Sequence, residues 1–533
     1  MTRQLESILL TATTVFVAGA ALLLALFSLR WPLVHDLPIM LYEGCLIADF
    51  GMVPYRDFFD MNPPGTMLIY TLLHSATDGE DLPLRLVDLS LVTAIASLTM
   101  LTLRKHGWRA GLLASSCFAI AYLGGGPNQA LQREVFCVLL FAISAAHILG
   151  GNTPSVSTWR TLVGGLCAGC AATIKPPILV LWLPLLLFSC VATLQTKGPS
   201  RKEQYLTLAQ RLFVFSVGLV APIGAALLYL HVNGALAAFL DMASNYYPLY
   251  TEIGGDGSMH SVGFAPLLKR YVIETLPLLH WSPISMLGFI GLSAIGRRRS
   301  LHGRSEFSAL FVLLWCAIVY IPLSGKFWFY HRIPLLYVVS LCAGLSATSQ
   351  LRLRGAVGHS LVVLTAGLAL IPLHQLDNEL WMWRQGERHA IKGGTVEAVA
   401  EQLRKYTKAD DSVLPLDVTG GAIHALYKAR IPLHGRPERP RIEPVKGFSM
   451  PPSRLFQWTI PGLLLLALAA GCARFDPVRA RRDHTEAFTS NLAARVEAEL
   501  TRPLSLDDCV RIALSNNYAV RKADLDRELY RID

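Results

Sequence analysis

Long apolar runs alternate with short polar or basic segments up to residue 372 of the chain. A run near 20 residues is long enough to cross a bilayer as a helix, because a helix rises about 1.5 Å per residue. The repetition predicts an all-α polytopic membrane protein with about 11 transmembrane helices. The predicted spans are 8–29, 84–103, 110–123, 135–149, 161–174, 178–194, 212–230, 278–295, 307–323, 333–348 and 356–372.

The basic residues between the spans predict the orientation of the chain. Clusters at 104–109, 297–299 and 352–354 all fall on one face if the amino terminus lies inside. Cytoplasmic loops carry such an excess of Lys and Arg. No small-residue cleavage site follows span 8–29, so we interpret it as an anchor rather than a removed signal. The acid-rich stretch 35–65 then lies outside the cytoplasm.

Composition supports this interpretation and removes two others. The chain has 533 residues, of which 53% are hydrophobic and 16% charged, whereas a soluble domain carries about 25% charge. The net charge of +10 could indicate a nucleic-acid partner, but the cations lie between the spans, so we expect none. The ten cysteines lie mostly in apolar runs and form no disulfide framework. We interpret the Cys167-x-x-Cys170 pair as packing residues.

The character of the sequence changes after the membrane domain, which we assign to residues 1–374. Residues 395–407 have helical apolar spacing, 413–418 has the pattern of a strand, and 422–427 that of a short helix. We therefore expect 375–445 to be a small α/β segment outside the membrane, cut short by prolines.

Two further segments follow. Residues 446–472 combine a basic start, an apolar run and Gly471-Cys472, which is the shape of a bacterial lipoprotein signal or an extra transmembrane helix. Residues 473–533 are predicted to be a soluble helical tail. Within them 504–517 resembles the opening helix of the outer-membrane efflux-channel family, although a plain amphipathic tail fits as well. We suspect a fusion or reading-frame junction near Met450 and assign the tail no activity.

The acid-rich stretch suggests group transfer at the membrane surface. Carboxylates beside a span are costly in lipid, so they indicate a cavity walled by protein. Sugar transfer from a polyprenyl phosphate needs a base for the acceptor hydroxyl, cations for the phosphate and an apolar groove for the lipid. The candidate catalytic carboxylates are Asp36, Asp57 and Asp60. Asp36 could instead cap a helix, and the other two could be turn residues that bond their own backbone.

Other residues would complete such a site, each with a simpler alternative. Lys326, His331 and Arg332 share one short outer loop with aromatic residues, where interfacial anchors are also common. Lys175 interrupts two apolar runs and could equally be an anchor. The candidate phosphate-binding residues are Arg56, Lys175, Lys326, His331 and Arg332. The candidate acceptor or sugar contacts are Glu134, Tyr55 and Tyr330, although Glu134 could simply start a helix or pair with Arg133. Tyr246, Tyr247 and Tyr250 could stack on a sugar or form an aromatic belt.

Several motifs resemble a known class of enzyme. His35-Asp36 follows the first span, and Phe58-Phe59-Asp60-Met61-Asn62-Pro63-Pro64 is similar to the Phe-Phe-Asp-Val-His-Pro-Pro of bacterial protein mannosyltransferases. Lys175-Pro176 and Lys326 to His331 also match. Over residues 8–430 the chain resembles the GT-C membrane glycosyltransferases of the protein-mannosyltransferase and aminoarabinose-transferase superfamily.

The resemblance implies the catalytic role of one residue and the kind of substrate. The first-loop aspartate of the family is its proposed catalytic residue and corresponds to Asp36, although Leu37 stands where the family usually has Glu. The resemblance implies a polyprenyl-phosphate-linked sugar as donor, membrane lipids as surroundings and a periplasmic lipid, glycan or protein as acceptor. It further implies a multi-pass location in the bacterial inner membrane with the site facing the periplasm. Some relatives bind a divalent metal ion, but no His/Asp spacing here establishes one.

We therefore expect a hexosyl- or pentosyltransferase that inverts the anomeric carbon. One alternative is a transporter or flippase of a lipid-linked or polysaccharide substrate. A transporter typically shows paired interrupted helices in two related halves, whereas this sequence shows one break, at Lys175-Pro176-Pro177, and no internal repeat. Another alternative is a non-catalytic membrane subunit.

Overall fold

The computed structural model describes residues 3–150, 157–194, 200–247, 282–297, 301–324, 328–348, 364–365, 367, 395–407, 413 and 422–432. The regular structure in these ranges is helical, and they contain no strand beyond isolated bridge residues at Pro54, Phe58 and Val413. The α-helices are α1 Arg3–Ser28, α2 Leu37–Ala48, α3 Pro64–Thr77, α4 Asp81–Leu103, α5 Trp108–Leu123, α6 Arg133–Ile148, α7 Thr158–Ile174, α8 Trp182–Leu194, α9 Arg201–Val232, α10 Leu236–Asp241, α11 Ser282–Gly296, α12 Leu301–Leu323, α13 Ile333–Leu345, α14 Thr395–Tyr406 and α15 Ala422–Ala429.

The described helices confirm the all-α polytopic membrane fold. Five of them are long and apolar enough to cross a membrane, judged by length and composition, and shorter apolar helices accompany them. The predicted spans up to 348 coincide with α1, α4 to α9 and α11 to α13 within their described parts. The eleventh predicted span, 356–372, lies outside the described residues apart from three positions.

One boundary was wrong. The apolar pattern predicts that the seventh span begins at residue 212, but α9 begins at Arg201. The cause is a capping box, in which the Glu203 amide donates to Ser200 Oγ at 3.3 Å and the Ser200 amide donates to the Glu203 carboxylate at 2.7 Å. This pairing satisfies two amides at the helix start and extends the helix beyond its apolar part.

Small residues set the closest helix contacts. A methyl group added at Gly165 of α7 would collide with the Phe215 backbone of α9, and one added at Gly344 of α13 would collide with Ala110 of α5. Helices in lipid gain little from hydrophobic burial, so they associate through such close backbone packing. These contacts form the scaffold beneath the outer loops.

A buried ion pair connects this scaffold to two loops. Arg85 Nη1 and Asp88 Oδ2 of α4 lie 3.9 Å apart, and both side chains are fully buried. Arg85 donates to the Pro32 carbonyl at 3.2 Å, just before the predicted catalytic loop. Asp88 accepts from the Tyr122 hydroxyl at 2.6 Å and from the Leu131 amide at 3.2 Å. The pair therefore holds the loops that enter α2 and α6.

The described part of the 375–445 segment is helical. Helices α14 and α15 pack on each other and α15 packs on α2, where the Tyr42 hydroxyl donates to the Ile431 carbonyl at 2.8 Å. This confirms the two predicted helices. The predicted strand 413–418 lies outside the described residues except for Val413, whose amide donates to the Pro432 carbonyl at 3.2 Å. The proposed lipoprotein-like segment and helical tail, 446–533, also lie outside them.

Candidate active site

A cavity of about 560 Å³ lies where the loop between α1 and α3 meets several other segments of the membrane domain. Its walls come from the start of α2, the loop before α3, the start of α6, the break after α7, and the loop between α12 and α13. Six residues that the sequence offers as candidates line it: Asp36, Asp60, Lys175, Tyr247, Tyr330 and His331. The structure therefore brings the acid-rich loop and the aromatic-cationic loop together. Lys326 lies outside the described residues.

The turn before the cavity separates two aspartates that are three positions apart. Asp57 forms an ion pair with Arg56 at 2.7 Å, and its carboxylate accepts from the Val53 amide at 2.8 Å. Arg56 also donates to the Asn233 carbonyl at 3.0 Å. Neither side chain lines the cavity. The predicted catalytic role of Asp57 and the phosphate contact of Arg56 are therefore not supported by their placement, because both groups stabilise the turn.

The remaining predicted contacts do not line the cavity. The Tyr55 hydroxyl donates to the Asn62 carbonyl, and its ring packs against Phe239 at 5.1 Å between centroids. Glu134 is fully buried beneath the cavity, and Arg332 precedes α13 without lining it. None of the three contacts the cavity directly, so we assign them no contact with substrate.

Asp36 is the N-cap residue of α2, but its side chain does not cap the helix. Its backbone carbonyl accepts from the Met40 amide at 3.0 Å, while its carboxylate bonds to no amide in the first turn. Instead the carboxylate lies 3.1 Å from His35 Nδ1 and accepts from the Tyr330 hydroxyl at 3.2 Å. Asp36 thus has the position of a helix cap, but its carboxylate makes no capping bond and lines the cavity.

His35 holds Asp36 in its charged form. Burial alone would raise the pKa of Asp36, but the hydrogen bonds from His35 and Tyr330 and the positive charge of Arg133 outweigh it and lower the pKa. In turn the hydrogen bond to Asp36 raises the pKa of His35. The His35 backbone has a φ of 61°, and its ring meets the rings of Phe329 and Tyr330 edge-on. Asp36 is therefore ionised, which is the form that a general base must have.

A pH profile tests the role of His35. His35→Asn keeps a residue that tolerates positive φ but removes the imidazole beside Asp36. We expect the step in transfer activity that Asp36 causes to lie below about pH 4 in the wild type, at lower pH than any step from Asp60 or Glu43, because the pKa of Asp36 is lowered from its usual value near 3.9 whereas burial raises theirs. The step should move to higher pH in the variant. An unchanged profile in activity measurements across the acidic range would contradict this role.

Arg133 and Lys175 bring positive charge to the cavity, and only the second was predicted. Lys175 donates to the buried Glu134 carboxylate, which also lies 3.7 Å from His331 Nε2. Arg133 donates to the Asn62 side-chain carbonyl. The sequence analysis treated Arg133 only as a neighbour of Glu134. The two residues are adjacent at the start of α6, but Glu134 turns inward while Arg133 reaches the cavity.

Glu43 and Asp60 form a second acidic group that the sequence analysis did not identify as such. Burial raises the pKa of both carboxyls. The charge of Asp60 raises the pKa of Glu43 further, and the charge of Arg133 partly offsets the effect of burial on both. Glu43 Oε2 and Asp60 Oδ2 are buried, and neither has a hydrogen-bond partner among the described residues. Asp36 and Glu43 are seven positions apart, which is two helical turns, so they lie on the same face of a helix. This spacing could have predicted from the sequence that Glu43 lies beside Asp36.

Comparison with known proteins supports this fold. The structure of ArnT from Cupriavidus metallidurans bound to undecaprenyl phosphate is similar, with a TM-score of 0.54 and 14% identity over 79% of this chain and 85% of that one. The chain has a GT-C-like fold. ArnT from the same organism in the apo state (TM-score 0.48, 15% identity, 79% and 85% covered) and archaeal oligosaccharyltransferase AglB from Archaeoglobus fulgidus (0.42, 12%, 79% and 64%) are less similar. No family model and no curated protein matches the chain.

Proposed function

We propose that this chain is a glycosyltransferase of the bacterial inner membrane, moving a hexose or pentose from a polyprenyl phosphate to a periplasmic acceptor. One observation carries the proposal: the charged carboxylate of Asp36 shares a single cavity with the cations Arg133 and Lys175 and with His331. A base and phosphate-neutralising groups on one cavity wall are the minimum that this reaction requires. The GT-C-like fold supports the same conclusion.

Each of these residues has a separate role in the proposed reaction. The acceptor hydroxyl attacks the anomeric carbon as Asp36 takes its proton, and the bond from that carbon to the phosphate oxygen breaks. The electron pair leaves with the polyprenyl phosphate, whose charge is stabilised by Arg133, Lys175 and His331. A single displacement of this kind inverts the anomeric carbon. Tyr330 orients Asp36 through its 3.2 Å hydrogen bond.

The rest of the cavity fits a lipid-linked donor. Apolar side chains line it beside the charged groups, among them Ile39, Met40, Leu323 and Trp328. Such a wall accepts a prenyl chain while the polar groups hold the head. The similar ArnT structure contains undecaprenyl phosphate, which supports a donor of this chemistry here. The acceptor is a lipid, a glycan or a protein with a free hydroxyl.

The acidic pair fits the divalent cation that some relatives bind. Glu43 and Asp60 each present a buried carboxylate oxygen without a partner in the described residues, and carboxylate oxygens are the ligands that Mg²⁺ and Mn²⁺ prefer. Such a cation would supply further positive charge for the leaving phosphate. The chain's own contribution is to hold the two carboxylates in the lining of the cavity that Arg133 also lines.

Asp57 and Asp60 carry the same side chain, but only Asp60 lines the cavity, so their substitution compares the two positions. Asp60→Asn is expected to lower transfer activity at least tenfold, because it replaces a carboxylate of the cavity wall with an amide. Asp57→Asn is expected to keep most of the activity and to lower thermal stability slightly, since this side chain bonds the turn and does not line the cavity. Initial rates and unfolding midpoints of both purified variants measure this. Equal loss in the two would contradict our assignment.

The function itself is tested in vesicles that contain the purified protein. Radiolabelled polyprenyl-phosphate sugar is supplied with a membrane extract as acceptor, and we expect label to move to an acceptor with release of polyprenyl phosphate. A transporter would move intact labelled lipid across the bilayer without cleaving it. A non-catalytic subunit would bind the labelled lipid and leave it intact. Either of these results would overturn the proposal.

A further inference from the structure

A second cluster of ligating side chains lies on α2 and α3, separate from the residues that line the cavity. Cys45 and Asp49 are one turn apart on α2, and His74 comes from α3. The ligand atoms of the three residues all lie within 4.8 Å of one another. Cys45 and His74 are buried, with 0% and 2% of their surface exposed. Two adjacent helices thus present a thiol, a carboxylate and an imidazole at one point.

The spacing of these atoms suits a tetrahedral metal ion. His74 Nε2 lies 3.1 Å from Asp49 Oδ2, and Cys45 Sγ lies 3.3 Å from the same oxygen. Ligands on a tetrahedral Zn²⁺ lie about 3.3–3.8 Å apart, given metal–ligand bonds of about 2.0–2.3 Å. Small side-chain adjustments would therefore place an ion among them. We propose that Cys45, Asp49 and His74 bind Zn²⁺ or a similar borderline transition-metal ion.

The surroundings match those of a metal site. His74 Nδ1 lies 3.1 Å from the Tyr427 hydroxyl of α15. In metal-binding histidines the second ring nitrogen usually donates to such an oxygen, which fixes the orientation of the ring. The Asp49 side chain is 34% exposed, so a water molecule has access to the fourth position, as in three-ligand zinc sites.

Charge also balances once an ion is bound. Arg430 contacts Asp49 at 2.8 Å and pairs with Asp78 as well. The thiolate of Cys45 and the carboxylates of Asp49 and Asp78 carry three negative charges, which equal those of a divalent ion and Arg430 together. Arg430 retains Asp78 when the ion takes the Asp49 oxygen. The site would then join α2, which begins beside Asp36, to α3 and, through Tyr427, to α15.

Cobalt provides a visible probe of this site. The full chain, purified in detergent and stripped with a chelator, is titrated with Co²⁺. We expect one equivalent to bind with a thiolate-to-cobalt absorption band, and Zn²⁺ to abolish the band. Cys45→Ser and His74→Gln should lose the band, whereas Cys342→Ser, another buried cysteine, should retain it. Absence of the band in the wild type, or its persistence in Cys45→Ser, would overturn the proposal.

A variant that keeps all three ligands gives an independent test. Tyr427→Phe removes only the oxygen behind His74 and is expected to weaken Co²⁺ binding about 10- to 100-fold with the band unchanged in position. Unaltered affinity in this variant would contradict a metal-bound His74. Each variant must elute from size exclusion like the wild type. The readout is metal binding, so it is independent of whether the chain transfers sugar.

Discussion

Asp36→Asn is expected to lower sugar transfer by about 100- to 10,000-fold, the usual contribution of a general base. The amide has nearly the same shape as the carboxylate but cannot accept the acceptor's proton. It still lies beside His35 and Tyr330, which bond the carboxylate in the wild type. The loss should therefore appear in kcat, with the KM for the donor little changed.

Initial rates in vesicles with radiolabelled polyprenyl-phosphate sugar measure this effect. Asp241→Asn is the matched control, because Asp241 is an exposed carboxylate of α10 that does not line the cavity. It should transfer at the wild-type rate. If Asp36→Asn keeps wild-type kcat, Asp36 is not the base.

Lys175→Met is expected to abolish most transfer and to destabilise the protein. Glu134 is fully buried and accepts from Lys175. Removing one partner of a buried ion pair leaves the other charge uncompensated, at a cost of about 3–5 kcal/mol. The same change removes a cation from the cavity wall that faces the leaving phosphate. The loss of transfer and the loss of stability both result from removing one side chain, but a second substitution can distinguish them.

The double variant Lys175→Met/Glu134→Gln separates them. Without the buried carboxylate charge, the unfolding midpoint should return most of the way to the wild-type value, because replacing both members of a buried pair is often nearly neutral. Transfer should remain low, since the cation is still missing. Recovery of both stability and transfer in the double variant would show that Lys175 serves only the fold.

The bilayer explains why most of the fold could be predicted. A helix that crosses lipid must be apolar over its length, so α1 and α4 to α8 follow from the composition of their runs. The start of α9 was missed because it depends on the capping box at Ser200 and Glu203, which acts beyond the apolar run. Hydropathy reports the part of a helix that lipid surrounds, and local hydrogen bonds set where the helix begins.

The candidate site was predicted in outline but not in detail. Orientation alone places Asp36, Lys175 and His331 on one face, and the structure brings them into one cavity. The separation of Asp57 from Asp60 depends on the turn at Tyr55, whose φ is 66°, and no composition rule predicts it. Arg133 was overlooked because its neighbour Glu134 offered it a ready partner in the sequence. In the structure Glu134 pairs with Lys175 instead.

The most direct test of the account is an experimental structure with the polyprenyl phosphate bound. We expect the phosphate to lie within hydrogen-bond distance of Lys175 and Arg133, with the prenyl chain along the apolar wall beside Trp328. The carboxylate of Asp36 should face the position of the departing sugar. A phosphate bound elsewhere on the outer surface, with the cavity beside Asp36 left to solvent, would contradict the proposed site.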